Sequence, residues 1–173
     1  MSESKTLYEG NWSRFVERDG WEYVERVKAS AVAVLVPITN DQQIVLVEQY
    51  RVPLDARIIE LPAGLVGDRD EDRDEAVITA AARELEEETG YRAADLKHIM
   101  SGPTSPGILA EAPHFYLATG LEKIGDGGGD DSEDITVHCV PLSSVNDWLN
   151  QKMTEGLKVD PKVYAGLYWA TIR

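Results

Sequence analysis

The chain has 173 residues, 43% hydrophobic and 28% charged, the length and composition of one globular domain rather than a disordered segment. Its formal net charge of −14 argues against a nucleic-acid partner, because phosphate backbones need a basic surface; a metal-bridged phosphate substrate stays open. The single cysteine, Cys139, excludes an intrachain disulfide, and with no apolar run near 18 residues and no signal-type opening a cytoplasmic protein without a membrane partner is expected.

Residues 1–28 read as β-structure. NWSRFVERDGWEYVERV holds an Asp19-Gly20 turn between two alternating runs, the signature of a hairpin. SAVAVLVPI (30–38) is an apolar, β-branched run suited to a buried strand, and QIVLVEQYR (43–51) is a second one beyond a TNDQ turn. RIIELPAG (57–64) reads as a short strand that ends in a Pro-Ala-Gly turn. From Glu75 the period changes: EAVITAAARELEEETG is Ala-rich, free of Pro and closed by Gly90, so one helix is expected. Leu96–Ser101 and His114–Thr119 read as strands joined by the loop SGPTSPGILAEA. GDGGGDDSED (125–134) has no apolar side chain to bury and reads as a mobile acidic loop. ITVHCVPL returns to strand, with Cys139 in the parity of Ile135 and Val137 and hence an inert core thiol. SSVNDWLNQKM reads as a helix capped by serines, and DPKVYAGLYWATIR as a final helix with Pro at its first position. Without a repeat or a linker, the whole span 1–173 is expected to form one α+β domain, a hairpin (1–28) on a sandwich core (29–173).

The stretch RELEEETGY (83–91) breaks two local rules. The residues four beyond Glu84, Glu86 and Glu87 are Glu88, Gly90 and Tyr91, so no base follows them, and only Arg83 with Glu87 makes a favourable spacing. Glu87 and Glu88 also fall near the helix C-terminus, where the macrodipole disfavours negative charge. Positions i, i+3 and i+4 share a face, so Glu84, Glu87 and Glu88 converge while Glu86 points away. Like charges about 4 Å apart cost on the order of 1 kcal/mol in water and about 4 near a partly buried surface. A hard divalent cation such as Mg²⁺ removes that cost, since it is held by carboxylates and substrate phosphate oxygens. A solvated acidic face in an acidic protein is the bland alternative.

RELEEETGY resembles the second half of the Nudix box, Gly-x5-Glu-x7-Arg-Glu-U-x-Glu-Glu-x-Gly-U with U apolar, and Glu75 stands eight positions before Arg83 as the pattern requires. The front half departs from it: Arg69 occupies the glycine position, and Gly64 is the nearest candidate, implying a five-residue insertion within LVGDRDEDRD. EQYR (48–51), ELPAGL (60–65) and SPG (105–107), with Pro106 fifteen residues past Tyr91, are similar to the ADP-ribose and nucleoside-diphosphate-sugar pyrophosphatase branch. The resemblance implies a Nudix-type α/β/α sandwich with a mixed sheet, usually a homodimer whose N-terminal β-elements reach the partner's site. It implies Mg²⁺-dependent hydrolysis, with Mn²⁺ as a substitute, of a small nucleotide to a nucleoside monophosphate and a sugar phosphate. Glu84, Glu87, Glu88 and the Ala63 carbonyl would hold metal, with Arg83 steering Glu87. The proton acceptor would be Glu87 or Glu133, the latter carried on the acidic loop. Other substrates (dNTPs, dinucleoside polyphosphates, CoA-like molecules) and a module that senses ADP-ribose without cleaving it are the competing readings.

Two further residues are candidates for substrate contact. Arg51 would touch phosphate or pair with Glu60, and Glu111 would be an additional carboxylate of the site or a plain loop charge. His98, His114 and His138 are scattered and lack ligand spacing. Trp12, Phe15, Trp21 and Tyr23 suit packing or an interface better than base stacking.

Overall fold

The computed structural model describes residues 2–67, 76–129 and 133–172. The N-terminal part forms a three-stranded antiparallel sheet, with β1 (Lys5–Glu9) beside β2 (Ser13–Arg18) and β2 beside β3 (Trp21–Arg26). The expected β2–β3 hairpin is there, and Asp19 (φ 53°) and Gly20 (φ 82°) both take the positive φ that a twist-matched two-residue turn needs. Strand β1 is an addition that the sequence pattern did not announce. The sheet docks onto the rest of the chain through backbone hydrogen bonds, Val24 N–H to the Ile108 carbonyl (2.8 Å) and Ala110 N–H to the Val24 carbonyl (3.0 Å).

The core is built on two sheets. In the first, β4 (Ala31–Pro37) lies between β7 (Ala63–Val66), antiparallel to it, and β10 (His114–Thr119), parallel to it; β9 (Asp95–Ser101) pairs antiparallel with β10 on the far side. In the second, β5 (Gln43–Arg51) is flanked by β12 (Thr136–Pro141) and β6 (Ala56–Glu60), with β13 (Lys158–Val159) parallel to β6. A short ladder joins β8 (Tyr91–Arg92) to β11 (Glu122–Lys123). Among the described residues three α-helices cover these sheets: α1 (Val77–Thr89), α2 (Val145–Thr154) and α3 (Pro161–Thr171).

Strand β4 explains the continuous apolar run. Val34 and Val36 point into a cluster with Ile59, Leu61, Phe115, Leu149, Val163 and Leu167, whereas Ala33 and Leu35 point the other way, to Ala80, Ala81 and Leu85 of α1. Buried on both faces, the strand has no solvent side to make polar. Leu85 is fully buried, worth about 1.5–3 kcal/mol, and it fixes which face of α1 turns toward the sheet. Mixed sheets with helices on both sides give the α+β sandwich that the sequence implied.

Several local expectations are corrected. Pro-Ala-Gly does not end the strand over 57–64 as a turn; Ala63 and Gly64 open β7 and pair with Val34 and Ala33. Ser144 precedes α2 without a side-chain capping bond, whereas Asp160 does cap α3, accepting from the Lys162 N–H at 2.7 Å. Cys139 is exposed rather than in the core, because β12 is an edge strand; its Sγ lies 3.4 Å from the Tyr91 hydroxyl. The histidines are not all scattered either: Ser101 Oγ bridges His98 Nε2 (2.9 Å) and His114 Nδ1 (3.0 Å), and His138 pairs with Glu48 at 2.9 Å. Glu75, Arg69 and most of the inferred insertion lie outside the described residues.

Candidate active site

With Leu85 turned into the core, Glu84, Glu87 and Glu88 are presented along one side of α1 to a cavity of about 350 Å³. Glu86 faces away, and Arg92 holds it through Nε (2.8 Å) and Nη2 (3.1 Å). Glu88 is the deepest of the four, 2% exposed, and its Oε2 accepts the Ala63 N–H at 3.1 Å. Burial above all pushes the Glu88 carboxyl well above the usual carboxylate range; Glu84 and Glu133 push the same way, while the Ala63 N–H and Arg51 oppose them. Arg83 Nη1 reaches both Glu84 Oε1 (2.8 Å) and Glu87 Oε2 (3.0 Å), so it steers two of the carboxylates rather than one. Gly64 lets β7 approach α1: a Cβ there would lie 1.9 Å from Glu84 Cδ.

The same cavity is lined by Ala63, Glu133, Arg51 and Glu111, so every site residue named from the sequence except Arg83 stands on its wall, and Arg83 stands directly behind. Arg51 Nε donates to Glu60 Oε2 at 2.8 Å, one of the two contacts expected for it from the sequence, and both side chains line the cavity. Burial raises the Glu60 carboxyl and Arg51 opposes that rise. Glu111 is bound to Arg26 of β3 at 2.7 Å, so the N-terminal sheet reaches the site within its own chain. Arg26, Thr104 and Lys162 also line the cavity and were missed. Lys162 could have been placed in the first turn of α3 from Asp160-Pro161, but its arrival beside Glu60 is tertiary.

Part of the stretch expected as a mobile acidic loop, Gly125–Gly129, is hydrogen-bonded to the end of α1. Gly90, the C-cap of α1 at φ 71°, accepts from the N–H groups of Ile124 (2.8 Å) and Gly125 (3.1 Å). Gly128 N–H donates to the Glu88 carbonyl (2.9 Å) and Gly129 N–H to the Glu87 carbonyl (3.0 Å). These donors satisfy carbonyls that a helix end leaves open and offset the negative pole beside the glutamates. Asp130 and Asp131 lie outside the described residues.

Among the described residues, no group of three or more His, Cys, Asp or Glu side chains is gathered closely enough to hold an ion as it stands. The physical reason is visible: Arg83 draws Glu84 and Glu87, and the Ala63 N–H draws Glu88. The donor set nevertheless fits a hard divalent cation. Among the described residues six glutamates line one cavity, all the donors are oxygens, and the most buried of them, Glu88, is made costly to ionise by burial first and then by Glu84 and Glu133. Three basic side chains, Arg26, Arg51 and Lys162, come to the same cavity from β3, β5 and α3.

Comparisons with known proteins agree with this geometry. A methanol dehydrogenase activator of Bacillus methanolicus is 40% identical over 129 residues, 74% of this chain and 67% of that protein. An ADP-ribose pyrophosphatase of Bacillus subtilis strain 168 is 39% identical over 100 residues, 58% of this chain and 51% of that protein. The matches thus span from about half to two thirds of these relatives' own lengths. The crystal structure of an ADP compounds hydrolase shares the fold, with a TM-score of 0.64 at 24% identity over 86% of this chain and 80% of that one. The NUDIX domain pattern matches residues 29–159, from the approach to β4 through the glutamate-bearing helix to the end of β13, and on that match the chain belongs to the NUDIX domain family.

Proposed function

We propose that the protein hydrolyses the pyrophosphate bond of ADP-ribose or a nucleoside diphosphate sugar, with Mg²⁺ as the resident cation and Mn²⁺ as its substitute. The observation that carries this reading is the buried Glu88 lining one cavity with Glu84, Glu87 and Glu133 and with the basic side chains of Arg26, Arg51 and Lys162. Acids for a cation and bases for phosphate oxygens in one cleft suit a pyrophosphate better than either group alone.

Glu84, Glu87, Glu88 and the Ala63 carbonyl would hold the cation, which supplies charge neutralisation of the pyrophosphate and acidification of a water. The chain's own residues do the rest. Arg83 sets the directions of Glu84 and Glu87. Arg51, Lys162 and Arg26 take phosphate oxygens and orient the substrate for attack. Water adds to phosphorus, the bridging P–O bond breaks, and the proton of the water passes to Glu133 or Glu87, both on the cavity wall. The products are a nucleoside monophosphate and a sugar phosphate. Support for the substrate class comes from the ADP-ribose pyrophosphatase relative and from the sequence elements EQYR, ELPAGL and SPG.

A product assay with Mg²⁺ across ADP-ribose, several nucleoside diphosphate sugars and the dNTPs tests the reading. Nucleoside monophosphate release from the first two groups, at a kcat/KM at least about tenfold above that for dNTPs, is the expected result. Preference for dNTPs, with inorganic pyrophosphate as product, would move the protein to another substrate class.

The active form is proposed to be a homodimer joined through the N-terminal sheet. The sheet leaves Tyr8, Trp12 and Trp21 exposed at 71%, 58% and 64%, aromatic area of the kind that interfaces bury.

A further inference from the structure

Reading Glu133 as the proton acceptor leaves a difficulty. Its residue is exposed and sits on a loop, yet a proton acceptor misplaced by about 1 Å loses up to about a hundredfold in rate. Something has to fix the loop, and the structure shows attachments on either side of it. On the near side, Gly128 and Gly129 donate their N–H groups to the carbonyls of Glu88 and Glu87, in the turn of α1 that carries two of the cation-facing carboxylates. Gly127 permits this approach. Its φ is +71°, and a Cβ there would lie 2.4 Å from the Thr89 carbonyl carbon and 2.7 Å from the Glu88 carbonyl oxygen. Glu133 itself folds back over this turn, since a Cβ on Gly129 would lie 2.2 Å from its Oε2.

On the far side the attachment is Arg57 of β6. Its Nη1 meets Asp134 Oδ2 at 2.8 Å and its Nη2 the Asp134 carbonyl at 3.4 Å, one residue from Glu133. Arg57 is held in turn: its Nε donates to Glu48 Oε1 at 2.6 Å, and the other oxygen of Glu48 is bound to His138 Nε2 at 2.9 Å. The guanidinium therefore arrives at Asp134 with its direction set by β5 and β12. Asp134 is 83% exposed, and an ion pair so open to water adds little to stability. Holding a backbone in place is a use that such a pair can still serve.

We propose that Arg57 and the Gly127–Gly129 turn are positioning elements for Glu133, pinning the two sides of its loop to β6 and to the last turn of α1; this rests on the reading of Glu133 as proton acceptor. Arg57 acts through Asp134 and touches neither substrate nor cation. The turn is hydrogen-bonded to the backbone of Glu87 and Glu88 and is met at Gly129 by the Glu133 side chain, so the proton acceptor and the cation site share one support.

The test compares Arg57→Gln, Arg57→Lys, Glu133→Gln, Gly127→Ala and the double variant Arg57→Gln/Glu133→Gln. Three quantities are read: kcat and KM on ADP-ribose with Mg²⁺, thermal unfolding, and hydrogen exchange at the Gly128 and Gly129 amides. In the wild type both amides are expected to be protected, and in Gly127→Ala to exchange faster. Arg57→Gln is expected to lower kcat by about tenfold to a hundredfold with KM within about twofold and unfolding unchanged, and Arg57→Lys to restore part of the loss. In the Glu133→Gln background the same substitution is expected to cost nothing further, because its only effect passes through Glu133. Unprotected Gly128 and Gly129 amides in the wild type would overturn the docking, whatever the protein's activity. Equal losses from Arg57→Gln in both backgrounds would overturn the positioning role while leaving Glu133 its own. Protected amides with Glu133→Gln at the wild-type rate would overturn the assignment of Glu133, and the positioning role with it.

Discussion

Two requirements collide at Glu88. To hold the proposed cation its carboxylate would have to be charged, yet it lies buried with Glu84 and Glu133 nearby, and that environment, burial first, lifts its carboxyl well above the ordinary range. The sign of the consequence follows from linkage. A carboxyl whose folded pKa is raised keeps its proton in the folded chain at pH values where the unfolded chain has lost it. The stability it contributes is complete below the unfolded value and is lost as pH rises through the folded one. Thermal unfolding of the ion-free protein should therefore move to lower temperature as pH climbs out of the usual carboxylate range. Glu88→Gln should flatten that fall, and a saturating divalent cation should offset it. A wild-type profile that does not fall with pH in the absence of ions would show that Glu88 is ionised without cost. That Glu84, Glu87 and Glu88 share one face was legible in the sequence, from their i, i+3 and i+4 spacing. The Arg83 fork onto Glu84 as well as Glu87 was not, since an i,i+1 pair gives no such signal.

At the scale of elements, what the sequence displayed was local chemistry. The β-branched runs of β4 and β5, the Ala-rich α1 and the Asp-Pro start of α3 each carry their own signal, and each forms where expected. What it hid was decided by neighbours. Pro62-Ala63-Gly64 has turn composition, yet Ala63 and Gly64 are strand because β4 pairs with them and Glu84 needs the space a Cβ would fill. The glycines at 125–129 bury no side chain, yet their amides cap α1. Two glycines near this helix should respond differently to the same change. In Gly64→Ala the three atoms nearest the new methyl all belong to the Glu84 side chain, which can swing away. Catalytic efficiency should fall by about tenfold or more while stability stays within about 1 kcal/mol. In Gly90→Ala the methyl meets the Gly125 backbone at 2.3 Å in a left-handed conformation, and stability should fall by roughly 1–3 kcal/mol. Denaturant unfolding beside steady-state rates separates the two, and a Gly64→Ala variant that unfolds early with normal turnover would invert the assignment.

Across the whole molecule the acidic balance and the N-terminal sheet set what the protein can meet. The charge of −14 places repulsion between the chain and any anion, and the cavity wall repeats it, six glutamates against Arg26, Arg51 and Lys162, so the proposed cation would have to reverse the sign locally. None of these three announced itself in the sequence as a group, because they come from β3, β5 and α3 and meet only in the folded chain. Among the described residues no helix is long and apolar enough to cross a membrane. If the proposed dimer forms through the N-terminal sheet, sedimentation should give twice the chain mass, and Trp12→Ser with Trp21→Ser should shift it toward the monomer. A wild-type monomer at micromolar concentration would remove the dimer from the account. The most direct test of the central claim is turnover of ADP-ribose and nucleoside diphosphate sugars with Mg²⁺ by the wild type and by Glu88→Gln, each beside a direct measurement of substrate and Mg²⁺ binding. The expected result is nucleoside monophosphate release by the wild type, a loss of about a hundredfold or more in kcat in the variant, and weakened Mg²⁺ binding with the fold intact. A Glu88→Gln variant that turns over like the wild type, or a wild type that binds ADP-ribose tightly and never cleaves it, would contradict the claim that this cavity is a cation-dependent pyrophosphatase site.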